Sequence, residues 1–300
     1  MKRIFSILKQ SAIATTVSVI VSFQMPSAIA GDPFRKTNFR PISDTTESAF
    51  EAIFQAGNYQ QANRLLKTIN SDADPLAYAL KGAIAYTEKD WNTLKKTANQ
   101  PLCQAKEIGE TDPLRRDLYL AIGHFLEGSY LYEVEGAFSV FNKLQTVFYY
   151  LDLAEKHNPN DPELNLIKGY LDLFLAANLP FFQPENAIAR LETHARPAYL
   201  VNRGLAIAYR DLETYEKAQT AVEKALKTTP NNPEIHYLKG QILYQLGEEK
   251  QSIELVAEAV KHFDSAIARS EQLPDSIRDS YPRERCLAQT LLEELKTAKR

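Results

Sequence analysis

Apolar residues from about position 45 onward recur at steps of three and four, the period that places them on one face of a helix. The clearest stretch runs from about 199 to 232 and reads Leu205, Ala206, Tyr209, Tyr215, Ala218, Val222, Ala225, Pro230. From Ala218 to Val222 is four residues, on to Ala225 is three, and on to Pro230 is five. This spacing predicts two helices folded back as a hairpin. The small Ala206 and Ala218 let the two helices approach closely. Pro230, lacking an amide hydrogen, ends the second.

Looser copies of the same pattern fill the rest of the chain. Residues 45 to 75 carry Ala49, Phe50, Ile53, Gly57, Tyr59, Ala62, Leu66 and Ile69, with Gly57-Asn58 as the turn. Further units start at Pro75, Pro113, Pro162 and Pro233. Each of these prolines follows Asp or Asn, in Asp74-Pro75, Asp112-Pro113, Asp161-Pro162 and Asn232-Pro233. An Asp or Asn side chain can cap the free amides that open a helix, and Pro fits its first position. The expected repeats are 45–74, 75–111, 112–160, 161–197, 198–231 and 232–270. Extra residues enlarge the third, and an extra loop with Phe181 and Phe182 between Pro180 and Pro184 enlarges the fourth. A closing helix is expected within 271–300, with Leu287, Leu291, Leu292 and Leu295 as its apolar face. Residues 31–44 are polar and read as an extended lead-in.

The period, the small-residue contacts, the aromatic, the Ala pair and the closing Pro together resemble the tetratricopeptide repeat (TPR) superfamily over most of 45–270, with Asn202 at the usual Trp position. The resemblance implies an all-α superhelix of about six helical hairpins plus a C-terminal capping helix, with a concave groove lined by first helices. Carried over position by position, it places Glu51, Phe54, Tyr86, His124, Glu127, Tyr170, Phe174, Arg203, Arg210, Tyr237 and Tyr244 in that groove. Each aromatic there could instead pack between hairpins. Superfamily members that clamp a partner's terminal carboxylate use Lys and Asn at two of these positions. No repeat here has that pair. Gly31-Asp32-Pro33-Phe34-Arg35 and the run from Pro162 to Tyr170 resemble exported cyanobacterial TPR proteins, which implies the periplasm or the thylakoid lumen.

The first thirty residues have a different design. Lys2 and Arg3 precede a mostly apolar stretch, strongest from Ala12 to Phe23, and Ala28-Ile29-Ala30 stands before Gly31. This is the layout of a signal peptide cut between Ala30 and Gly31. The rival is an uncleaved membrane anchor, against which Lys9, Gln10, Ser11, Thr15, Thr16, Ser18 and Ser22 interrupt the apolar run. The whole chain has 300 residues and net charge −3. Removing Lys2, Arg3 and Lys9 with the leader takes the mature chain to −6. Neither value suits nucleic acid. Only Cys103 and Cys286 remain, far apart, and two unrelated buried thiols are expected rather than a disulfide.

Little points to catalysis. The five histidines, His124, His157, His194, His236 and His262, form no zinc-binding pattern. His124 and Glu127 are one helical step apart and lack a matching pair elsewhere. No nucleophile elbow or glycine-rich phosphate loop occurs. No catalytic residue, metal or cofactor is expected. The expected role is a scaffold or adaptor that binds a protein or peptide, with Phe181 and Phe182 as an added docking point and self-association left open. The alternatives are a cell-wall glycan enzyme using a carboxylate such as Glu127, which needs a raised pKa, and a carrier of an apolar small molecule, which needs a closed cavity.

Overall fold

The computed structural model describes residues 31–69, 74–178 and 184–299. Among the described residues all regular structure is helical. Six hairpins follow one another: α1 (Asp44–Phe54) with α2 (Tyr59–Leu66), α3 (Pro75–Thr87) with α4 (Trp91–Ile108), α5 (Pro113–Glu135) with α6 (Ala137–His157), α7 (Pro162–Asn178) with α8 (Glu185–Thr193), α9 (Ala198–Asp211) with α10 (Tyr215–Thr228), and α11 (Pro233–Glu249) with α12 (Ile253–Ile267). A 3-10 turn (Ser270–Gln272) and the short α13 (Asp275–Arg278) lead to α14 (Tyr281–Ala298), which packs on α12. First helices also touch along the stack, α3 on α5, α7 on α9 and α9 on α11. The three-and-four spacing predicts these hairpins, and their stack is the all-α superhelix that the resemblance implies.

The helix starts form as the dipeptides imply. Asp74 accepts from the amides of Leu76 and Ala77, Asp112 from that of Arg115, Asp161 from those of Glu163 and Leu164, and Asn232 from that of Glu234, all at 2.9–3.4 Å. The third hairpin is enlarged because both helices lengthen, α5 to 23 residues and α6 to 21. Their joint core of Leu114, Leu118, Ala121, Val147, Leu151 and Ala154 continues into Leu164, Leu171 and Leu175 of α7. Phe148 and Tyr150 pack against that core, while Tyr149 points to water.

The two ends of the stack meet, although distant repeats of a solenoid seldom touch. The α1–α2 turn presses on the start of α11. Gly57 has φ +62° there, and a Cβ would fall 2.7 Å from Asn232 Oδ1 and 2.8 Å from Pro233 Cδ. Asn232 Nδ2 donates to Phe54 O at 3.1 Å, and Gln272 Nε2 donates to Ala56 O at 2.7 Å. Gln60 reaches Glu271 O, and Ser276 reaches Thr87 O, both at 2.5 Å. The first hairpin thus lies against the last, so the groove is bounded by a seam.

The lead-in is more than extended chain. Residues 31–43 form a strap whose Phe34 is only 5% exposed and meets Phe50 edge-on, centroids 5.3 Å apart. The thiols also differ from expectation. Cys103 and Cys286 are unpaired but exposed, on α4 and α14, because each occupies a helix face with no further hairpin stacked on it. On α14 the buried stripe is Ala288, Leu292 and Leu295, at steps of four and three. Leu287 lies one residue off that stripe and is 48% exposed.

Candidate functional site

The starts of α5 and α7 gather at one rim and the ends of α3 and α5 at the other, while at the seam the start of α11 meets the end of α1. The strap covers the first rim. Arg35 donates to Asp161 at 2.6 Å, to Asp32 at 2.8 Å and to Glu163 at 3.3 Å. Arg40 donates to Asp112 at 2.7 Å and to Glu163 at 3.1 Å. Burial alone would lower the pKa of Arg35, but Glu163, Asp161 and Asp32 hold it above its ordinary value. Tyr119, fully buried, adds a 2.6 Å hydrogen bond to the other oxygen of Glu163. Thus Asp112 and Asp161 cap a helix and bind the strap at once. Asp74, which caps α3, accepts from Thr46 Oγ1 of α1 at 2.8 Å.

The interior beside the seam holds a second polar cluster. Glu234 of α11 accepts from Arg203 of α9 at 3.0 Å and from the Tyr59 hydroxyl of α2 at 3.4 Å. Burial would depress Arg203, and Glu234 together with Tyr170, Tyr59 and Tyr281 more than restores it. Tyr170 donates its hydroxyl to Leu200 O at 2.8 Å, and burial pushes its pKa up to about 12. Tyr281 of α14 stacks on Tyr237 of α11, centroids 3.9 Å apart, and Tyr237 hydrogen-bonds Ser280 at 2.9 Å. Phe54 lies against Phe50, 4.7 Å between centroids, and Glu51 beside it is exposed. The structure therefore brings Tyr170, Arg203 and Tyr237 together and commits them to internal contacts.

His124 and Glu127 are half-buried and face α6. His124 stacks on Tyr150, with centroids 5.6 Å apart, and its Nδ1 is 2.8 Å from Glu127 Oε2. Lys143 Nζ lies 2.6 Å from the same oxygen. Burial pushes Glu127 up, but the bonds from Lys143 and His124 outweigh it and hold the carboxyl below the ordinary range. A general acid needs the opposite shift. Among the described residues, no group of three or more His, Cys, Asp and Glu could hold a metal ion.

The remaining residues occupy the other rim. Tyr86, near the end of α3, is 38% exposed and meets Trp91 edge-on. Burial pushes its hydroxyl up, with smaller contributions from Glu133 and Tyr132 of α5. Tyr132 is exposed, as is Phe174 near the end of α7, at 50%, which meets Phe125 edge-on at 6.0 Å. Arg210 and Tyr244, near the ends of α9 and α11, line an open cavity of about 460 Å³ with Leu287 and Glu284 of α14. Arg210 donates to Gln241 at 2.8 Å, and Gln241 in turn donates to Glu284 at 2.8 Å. Phe181, Phe182 and Ala30 lie outside the described residues; Gly31 begins the strap.

Sequence reasoning missed Arg35, Arg40, Glu163, Tyr59, Glu234 and Tyr281. One signal was available for the strap: two arginines ahead of a chain whose repeats open on Asp. Residues 203–274, from within α9 past the 3-10 turn, match a family model described as tetratricopeptide repeat. No curated protein matches the chain.

Proposed function

We propose that this chain, a member of the tetratricopeptide-repeat superfamily, is a scaffold that holds a protein partner on the rim where α3 and α5 end. Tetratricopeptide repeats in general mediate contacts between proteins. The observation that carries the location is the exposure of Phe174 at 50% and Tyr86 at 38% on that rim. Large aromatics half in water suit an interface, where Tyr and Arg also concentrate. Arg210 and Tyr244 extend the rim toward the cavity at α14. The opposite rim is closed by the strap, and the interior beside the seam is spent on its own contacts. Among the described residues no helix is long and apolar enough to cross a membrane. The charged, apolar and small-residue layout before Gly31 supports export with cleavage there.

The test is a titration with purified components. A protein recovered with the chain from the exported fraction is identified, purified and measured against wild type and a Tyr86→Ala, Phe174→Ala double variant. Both side chains are partly exposed, and the variant's helix content and urea unfolding are measured beside wild type so that a loss of affinity is read only from a folded variant. A loss of at least about tenfold in affinity is expected, typical of truncating two interface aromatics. Unchanged affinity would place the partner elsewhere. Tyr170→Ala is unsuited as a control, because it removes the bond to Leu200 O inside the fold.

A further inference from the structure

Gly31 donates its backbone N–H to Glu47 Oε2 at 3.0 Å, reaching the first turn of α1. A Cβ at position 31 would lie 3.0 Å from Glu47 Oε1, tighter than ordinary contact. The carboxylate is therefore seated on the residue's backbone. Tight docking follows at once. Asp32 is 6% exposed and accepts from the amides of Phe34 at 2.9 Å and Arg40 at 3.0 Å. It also binds Arg35, which reaches on to Asp161. The strap is ordered by its own contacts from Gly31 onward, the residue that follows Ala28-Ile29-Ala30.

We propose that Glu47 is a receptor for a free α-ammonium group at Gly31, formed when the leader is removed. A leader-removing peptidase adds water across the Ala30–Gly31 peptide bond. The hydroxyl goes to the Ala30 carbonyl carbon, which leaves as a carboxylate. The Gly31 nitrogen takes up the protons and becomes an ammonium, its usual state at neutral pH. One neutral amide donor at Glu47 becomes three charged donors. A charge-assisted hydrogen bond is shorter and roughly twice as strong as a neutral one. Removal of the leader thereby tightens the strap, and with it the grip of Arg35 and Arg40 on the starts of α5 and α7. This inference rests on the export reading and is independent of what the opposite rim binds.

The full chain is expressed with its leader, and the exported product is isolated, as wild type and as Glu47→Gln. Intact mass is expected to show a start at Gly31. A start elsewhere, or a retained leader, overturns the cleavage reading and the proposal with it. Each product is then unfolded in urea with its α-amine free or blocked by a reagent selective for N-terminal amines. Blocking is expected to raise the unfolding equilibrium constant roughly fivefold in wild type and to change it little in Glu47→Gln. A start at Gly31 with equal responses in both overturns the pairing while leaving export intact. Should Glu47→Gln fail to fold, the blocking rate of native wild type decides. Slower reaction than in the urea-unfolded chain supports the pairing, and an equal rate refutes it.

Discussion

His236 and His262 face each other on α11 and α12 with their Nδ1 atoms 3.0 Å apart. His236 Nε2 donates to Pro230 O at 2.9 Å, so a neutral His236 offers Nδ1 as acceptor and His262 donates. Two imidazoles share such a bond only while at least one is neutral. Burial first, then Lys239 and His236, lower His262 to about 4, against the opposing pull of Glu258 at 3.7 Å. A depressed histidine pKa means that the unfolded chain binds more protons as pH falls. The stability tied to neutral His262 is therefore complete above its usual 6.5 and is lost as pH falls toward about 4. Urea unfolding at about pH 7.5 and about pH 5 should show wild type losing more stability than His262→Gln. A slope unaltered by the substitution would refute the account. The sequence presented His262 as one of five unremarkable histidines. Its partner lies 26 residues away, and only the packing of α12 on α11 brings the rings together.

At the scale of the element, helix starts were the most legible feature of the chain. Capping needs only a short polar side chain and the next three amides, so Asp-Pro and Asn-Pro report it directly. The same residues do more than sequence can reveal. Asn232 caps α11 and also donates to Phe54 O across the seam, whereas Asp90 caps α4 through the Thr93 amide in an exposed setting. Asp90→Ala should cost about 1 kcal/mol, the typical loss of a cap. Asn232→Ala should cost about 2–3 kcal/mol, because it also strips the part-buried Phe54 carbonyl of its donor. Chemical denaturation of the two variants checks the difference, and equal costs would mean that the seam contact contributes nothing. The face of α14 was half legible for a related reason. Periodicity identified Leu292 and Leu295 as buried, but Leu287 and Leu291 differ by one step in phase. Which side of the stripe faces α12 is set by how α14 docks.

At the scale of the whole molecule, closure is the property with the most consequences. The strap's two arginines bridge helix starts from different hairpins, 72 residues on to Asp112 and 126 residues on to Asp161. Replacing both Arg35 and Arg40 by Met leaves Asp161 and Glu163, each under 5% exposed at the side chain, without their cations. Removing one partner of a buried pair costs about 3–5 kcal/mol, so the double variant should lose at least about 3 kcal/mol. It should also exchange the amides at the starts of α5 and α7 faster, as hydrogen exchange would measure, while α12 and α14 stay protected. Uniform acceleration along the chain would instead mean that the strap stabilises the fold as a whole and not that rim.

The sequence by itself determined the hairpins, their starts and the helical class, since each follows from spacing, caps and turns within about 35 residues. It also supplied the candidate groove, but as a list in which every aromatic had two readings. Only the tertiary structure sorted that list. It turned Tyr170, Arg203 and Tyr237 into internal contacts and Phe174 and Tyr86 into exposed ones. It also exposed the two thiols that a buried reading had hidden. The reason is one of range. Tyr59 and Glu234 are 175 residues apart, and no local pattern encodes their meeting. The ends touch only once all the hairpins have stacked, and burial beside the seam depends on that stacking rather than on any one repeat.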